Sequence, residues 1–275
     1  MKAHPDIKLI LSDIDGTMLP YGQRLVSSRV IAAFHAALDA GIRVGPASGR
    51  GISHVTPTFG GDESCVATAL ATNGMQVYLD GELIHEEHLP HEALERVCEV
   101  IHGMAGVGAI VFRGGTPLLV EGLREDLAES FPVYAEQAVD HEGIPDSPVV
   151  KLNVFNSGGI GLTRRLLELL TREVPELDFN LPMPGFLNLI PPGYSKASGI
   201  DILCEALGIG LDQVVTFGDG GNDLEMIAHV PNGVAVEGAV PEVAEAARWH
   251  VGRCEDEAVP AAIEALVAGE WPFVR

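Results

Sequence analysis

Short apolar runs alternate with amphipathic stretches along the first eighty residues. Residues 7–11 are mostly apolar and end in Ser-Asp-Ile-Asp-Gly. A run of that length bounded by turn residues predicts a buried strand. Ser27 or Ser28 then caps a helix whose apolar positions Val30, Ile31, Phe34 and Leu38 recur at helical spacing, and Gly41 ends it. A second strand is predicted at 42–47, just before Ser48-Gly49-Arg50, and a third apolar run covers 66–72. Strand, helix, strand in this order predicts a parallel α/β sheet.

The pattern changes in the middle third. Residues 76–85 flank Asp80-Gly81, a hairpin signal. A helix-like stretch at 91–102 follows, then strand candidates at 108–112, 118–121 and 149–155 and a leucine-spaced helix at 162–174. These predict an α+β unit. The α/β rhythm returns after a proline-rich stretch at 181–192. Ser195 starts a helix with Ile200, Leu203 and Leu207 on one face, and Gly208 ends it. A strand at 214–217 runs into Gly218-Asp219-Gly220-Gly221-Asn222-Asp223. A helix from Asn222, a strand at 233–236 and two short helices finish the chain. The predicted fold is therefore α/β: a Rossmann-like three-layer core with a parallel sheet, formed by 1–82 and 187–275, interrupted by an α+β cap domain at 83–186.

Composition narrows the function. Hydrophobic residues make up 47% of the 275, ample for a packed core and incompatible with a wholly disordered chain. The 39 acidic residues against 17 basic ones give a net charge of −22. A field of that sign repels nucleic acid and anionic membranes, and it repels phosphate as well. Any anion site must therefore be built from local positive charge. Cys65, Cys98, Cys204 and Cys254 form no CxxC pair and read as reduced core thiols. The start of the chain shows no signal-peptide pattern, and the longest uncharged run, about 100–112, is too short to span a bilayer. A cytoplasmic protein is expected.

Two acidic clusters fall at predicted strand ends. Asp13, Asp15 and Thr17 form Asp-x-Asp-x-Thr after the first strand, on the edge where open α/β sheets bind ligands. Residues two apart in extended chain share a face about 6.6 Å apart. Two charges at that separation repel by about 2 kcal/mol at an effective dielectric of 20. Either one carboxyl retains a proton or a divalent cation relieves the repulsion. Read alone, these letters also describe a polar loop. They do not make a calcium loop, because the positions that need Gly and Glu hold Met18 and Arg24. The second cluster, Asp219 to Asp223, fits no dinucleotide fingerprint, and by itself also reads as a turn with a helix cap. Lys196, one of four lysines, opens a helix, where it is either a solvated surface side chain or a partner for a bound anion. Ser48-Gly49 offers a hydroxyl and N–H groups to the same anion, or caps a helix. His85, His88 and His91 are spaced three apart, but Pro90 breaks any helix through them, and a solvated linker is expected. His35 and His229 sit among apolar helix positions and are expected to be packed. No Gly-x-Ser-x-Gly elbow is present.

In order along the chain, Asp13-Ile14-Asp15-Gly16-Thr17, Ser48-Gly49-Arg50, Lys196 and Gly218-Asp219-x-x-Asn222-Asp223 resemble the haloacid dehalogenase superfamily, in particular its Cof-type hydrolases. Ala71-Thr72-Asn73-Gly74 and Pro192-Gly193-Tyr194-Ser195-Lys196 are similar to stretches of that family, and Ser48 stands where Thr is common. The resemblance covers both core segments, and the insert matches the family's cap in length and position. It implies a magnesium-dependent phosphatase acting on a small phosphorylated metabolite. Asp13 would be the nucleophile that forms an aspartyl-phosphate, and Asp15 the acid and base. Mg2+ would be held by Asp13, the Asp15 carbonyl and Asp219. Ile14, Thr17, Ser48, Gly49, Lys196 and Asn222 would bind phosphate. Asp223 and Arg50 would stand behind them, Asp223 orienting Lys196 or a water on the metal. A phosphomutase sharing the first half-reaction, or a non-catalytic acidic regulator, are the alternatives. Substrate and oligomeric state are not legible.

Overall fold

The computed structural model describes residues 6–275; residues 1–5, where the core and the chain start were read, lie outside them. The strands are β1 (Leu9–Ser12), β2 (Arg43–Pro46), β3 (Ala69–Ala71), β4 (Gln76–Leu79), β5 (Glu82–Glu86), β6 (Val107–Arg113), β7 (Thr116–Glu121), β8 (Val139–Asp140), β9 (Leu152–Asn156), β10 (Asp178–Met183), β11 (Phe186–Ile190), β12 (Val214–Gly218), β13 (Gly233–Val236) and β14 (Trp249–Val251). The chain divides into two compact units. One ends at Glu86 and resumes at Tyr194; the other is Glu87–Gly193.

The first unit is built on a five-stranded parallel sheet in the order β14-β13-β12-β1-β2. Parallel strands buried on both faces need apolar side chains at successive positions, and β1 supplies them in Leu-Ile-Leu. Ile10 packs with Phe34, Val215 and Ile263, on the side of the helices Ser28–Asp39 and Ala258–Val267. Leu9 and Leu11 pack with Ile200, Leu203, Met226 and Val243, on the side of the helices Lys196–Leu207, Leu224–His229 and Pro241–Ala246. These are the three layers expected. The Ser27 hydroxyl accepts from Val30 N and caps its helix as the sequence implied.

Register carries this architecture to the site. Ser12 lies beside Phe217 on one side and Pro46 on the other. The residues that follow each strand therefore emerge together at one edge. Gly45 explains how closely β2 is packed: a Cβ there would lie 1.6 Å from the Thr68 carbonyl oxygen. Gly45→Ala is expected to lower stability by about 3 kcal/mol, the upper end of ordinary overpacking, measured by urea unfolding. An unchanged midpoint would show that the Thr68 segment yields freely.

A small antiparallel sheet, β3-β4-β5, turns at Asp80 and Gly81, both at positive φ, as the Asp-Gly signal requires. The second unit is a six-stranded sheet in the order β10-β11-β9-β6-β7-β8, antiparallel except for the β7–β8 pair. The helices His91–Ile101 and Gly159–Glu173 belong to it.

Several expectations change. A boundary after 82 would cut β5 away from β4, and a boundary at 187 would split β11, which pairs with β9 and β10. The structure instead divides the chain after Glu86 and after Gly193. β14 was not foreseen; its three half-buried residues are too short for a pattern. The run at 66–72 yields only Ala69–Ala71 as strand, because Glu63–Val66 is a 3-10 turn. His35 and His229 are exposed rather than packed, paired with Asp62 at 2.9 Å and Asp201 at 2.7 Å. All four cysteines are free; Cys98 is only partly buried.

Candidate active site

The edge defined by β1, β2 and β12 gathers the two acidic clusters. Asp13 follows β1 directly, its N–H bonded to the Phe217 carbonyl at 2.9 Å. Asp219 follows β12. Between them the Lys196 ammonium donates to Asp13 Oδ1 and to Asp223 Oδ1, both at 2.5 Å. Lys196 is 0% exposed. Of the two readings of Lys196, this excludes the solvated surface side chain: Ser195 caps the helix, and Lys196 turns inward beneath it.

Asp223 is buried and fully committed. Its second oxygen accepts from the N–H groups of Asp219 at 3.0 Å and Gly220 at 2.9 Å. It thus closes the turn after β12 while holding Lys196. The tightness explains Gly218, where a Cβ would sit 2.6 Å from the Asp223 side chain. Asp13, Asp219 and Asp223 lie close enough for their carboxylates to share an ion. Asp223 is the least suited to ligation because it is fully buried and its oxygens are taken by the Lys196 ammonium and two backbone N–H groups.

The electrostatics of the cluster suit a cation. Three carboxylates surround one ammonium, leaving two uncompensated negative charges in a buried site. Burial raises the Asp13 pKa well above the ordinary carboxylate range, and the Asp223 charge raises it further, while Lys196 pulls the other way. Burial likewise raises Asp219, with Asp223 adding to it and the Thr17 and Tyr21 hydroxyls opposing. Burial alone would lower Lys196, but Asp13 and Asp223 outweigh it and hold the ammonium above its usual value. A hard divalent cation with oxygen ligands would balance the two charges, so the donor set fits magnesium.

Other candidates take more specific places than the sequence gave them. The Asp15 carboxylate, half-exposed, is gripped by Arg50 Nη2 at 2.5 Å, and Arg50 also reaches Thr58. Asp15 therefore faces a guanidinium, while Asp13 faces Asp223 and Lys196; the simple mutual repulsion of the front pair is not the governing contact. The Thr17 hydroxyl is engaged within the acidic cluster. Its Oγ1 donates to Asp219 Oδ1 at 2.6 Å, fixing that carboxylate. Ser48 is buried, its N–H bonded to the Leu70 carbonyl and its Oγ accepting from Arg50 N at 3.1 Å. The Ile14 carbonyl accepts from Met18 and Leu19 N–H groups, which curls the chain after β1 into a tight loop. Asn222 Nδ2 donates to Asn73 Oδ1 at 3.3 Å, and Gly49 lies against the same Asn73 side chain.

Three residues of the site received no role from the sequence. Thr72 and Asn73 both adopt positive φ, rare for a β-branched residue, and this turn hydrogen-bonds to Ser48 and Arg50 carbonyls. Asn73 is thereby wedged between Gly49 and Asn222. The Thr-Asn-Gly run was the available signal. Tyr21 donates its hydroxyl to Asp219 Oδ2 at 3.1 Å, and no sequence pattern marks it. His85, His88 and His91 form no metal cluster among the described residues: His85 stacks on Tyr194, and His91 pairs with Glu95. A second grouping, His35, Asp62 and Cys65, is closed by bonds of Asp62 to His35 and Ser64.

Comparison with known proteins identifies the family. The model of the haloacid dehalogenase-like hydrolases matches residues 10–263. The chain is 27% identical to a 5-amino-6-(5-phospho-D-ribitylamino)uracil phosphatase of Escherichia coli, over 97% of this chain and 98% of that one. It is 28% identical to an HMP-PP phosphatase of Klebsiella pneumoniae, over 92% and 93%. A solved haloacid dehalogenase-like hydrolase from Bacteroides thetaiotaomicron superposes with a TM-score of 0.77 at 26% identity, covering 94% of this chain and 99% of that one. With the motifs, the three-layer core and the match across nearly its whole length in agreement, the chain belongs to the haloacid dehalogenase-like hydrolases.

Proposed function

We propose that the protein is a magnesium-dependent phosphatase of small phosphorylated metabolites, working through an aspartyl-phosphate on Asp13. The observation that carries this reading is the buried Lys196 bridge between Asp13 and Asp223, set beside Asp219 at the ends of β1 and β12. A structural ion pair needs one carboxylate per ammonium. Three carboxylates there make sense as a site that gains a cation and an anionic substrate together. The two relatives named for phosphatase activity act, by those names, on small phosphorylated compounds, which supports the same class here.

The chemistry follows from the residues. Asp13 attacks phosphorus, the bond to the leaving oxygen breaks, and Asp15 supplies a proton to that oxygen. To do so, the Asp15 carboxyl exchanges its contact with Arg50 for one with the leaving group. Asp15 then takes a proton from water, whose oxygen attacks phosphorus, releasing inorganic phosphate and restoring Asp13. Lys196 stabilises the phosphoryl oxygens as charge gathers on them, and Ser48, Asn222 and the N–H groups of Ile14 and Gly49 supply hydrogen bonds. Magnesium would be held by Asp13, Asp219 and the Asp15 carbonyl, and it would add positive charge at the phosphoryl group.

The test is a panel of phosphorylated metabolites assayed for phosphate release with and without magnesium. Release should vanish in excess chelator and return with magnesium, and calcium should replace it poorly because its larger, looser shell disturbs the in-line arrangement. Full activity in chelator ends the magnesium reading. Transfer to a sugar hydroxyl in preference to water would replace phosphatase with phosphomutase.

A further inference from the structure

The three carboxylates of the site are not held alike. Lys196 bonds to Asp13 and Asp223, so each of those has a cation in contact. Asp219 has none. Its side chain is held by two neutral hydroxyls, Thr17 Oγ1 on Oδ1 at 2.6 Å and Tyr21 Oη on Oδ2 at 3.1 Å. Repulsion from Asp13 and Asp223 pushes this carboxylate away from the others, and one donor leaves it free to pivot about that bond. Two donors, one on each oxygen, fix its plane.

The chain is shaped to deliver Tyr21 to this place. After the tight loop at Ile14, Gly16 N–H bonds to the Leu19 carbonyl. Pro20 to Gln23 then form a closed turn, with Gln23 N–H bonded to the Pro20 carbonyl at 3.1 Å. Gly22, at φ +85°, takes the position that needs a left-handed residue, and Tyr21 sits beside it at the tip. Gly16 makes the room. A Cβ there would lie 2.4 Å from Asp219 Oδ2, 2.7 Å from Tyr21 Oη and 2.8 Å from Tyr21 Cε2. Tyr21 is 74% exposed, so little packing holds the ring. Its engagement with the protein is at the hydroxyl.

We propose that Tyr21 is a positioning residue that orients Asp219 for the divalent cation and so sets the metal affinity of the site. The inference rests on the magnesium-dependent reading above and adds to it the residue that tunes binding. Hydrogen bonds to a metal-ligating carboxylate typically account for a 10–100-fold difference in affinity. Tyr21→Phe keeps the exposed ring and removes only the donor.

The probe is Mn2+, whose free electron paramagnetic resonance signal is lost on binding, with Mg2+ as competitor. In Tyr21→Phe the dissociation constants for both ions are expected to rise about tenfold, the lower end of that range, since Thr17 remains. In steady-state assays the half-saturating magnesium concentration should rise by more than turnover at saturating metal falls. A merely structural tyrosine would instead move thermal stability in chelator and leave the dissociation constants alone. Equal or tighter binding by the variant overturns the proposal while leaving the function intact. A wild-type protein that binds neither ion overturns the magnesium reading, and this inference with it.

Discussion

Replacing Lys196 with alanine is expected to destabilise the protein by about 3–5 kcal/mol at neutral pH, the effect of stripping the partner from a buried charge. The side chain is fully buried and its ammonium touches two carboxylates at 2.5 Å. Without it, Asp13 and Asp223 face each other with no cation between them. The deficit should shrink as pH falls. Asp13, already raised by burial, would lose the ammonium that opposes that rise, so the folded state binds an extra proton there and regains stability on acidification. Lys196→Met separates charge from packing, because it fills similar space. If the deficit is electrostatic, both variants lose it alike in urea unfolding under chelator. A Met variant with the wild-type midpoint would show that the buried charge is not what holds this site. Turnover should be lost in both.

Asp13→Asn is expected to move stability the other way while abolishing the chemistry. The amide oxygen can still accept from Lys196, yet one of three crowded negative charges disappears. In the folded chain the Asp13 carboxyl titrates above its ordinary value. Its ionised form therefore carries a penalty that grows as pH rises from the unfolded value through the raised one. The asparagine variant escapes that penalty, so its unfolding midpoint in chelator should exceed wild type at pH 8 and approach it near pH 4. Turnover should fall by about three orders of magnitude or more, as when a covalent nucleophile is removed, with no phosphoenzyme trapped after acid quench. Phosphate recovered on Asp15 in this variant would reassign the nucleophile. A lowered midpoint would mean that Asp13 is a structural partner of Lys196 first.

These opposite signs show what could and could not be read from sequence. The layers of the first unit were legible because β1 and β12 are apolar on both faces, which only a covered parallel sheet requires. The convergence of Asp13, Asp219 and Lys196 was legible through their places just past two strand ends and at a helix start. The burial of Lys196 was not. A lysine after a serine cap has the same local pattern whether it points to solvent or inward, and only the register of β1 against β12 decides. The contact of Thr17 was hidden for a related reason: its proximity to Asp15 is local, but its hydroxyl partner Asp219 lies 202 residues away. The unit boundaries drifted because β5 and β11 have ordinary strand composition, and their sheet membership is set by pairing.

The sheet order also has a consequence for synthesis of the chain. β1 is made first, yet it lies between β2 and β12, and β12 begins only at Val214. Asp13 thus leaves the ribosome 183 residues ahead of Lys196. Until then the first strand has a neighbour on one side alone, and its apolar residues lack half their cover. Contacts of such long sequence separation form late and slowly. A nascent chain of this protein therefore carries its acidic loop and an open strand edge through most of translation, the condition in which protection from premature association matters most.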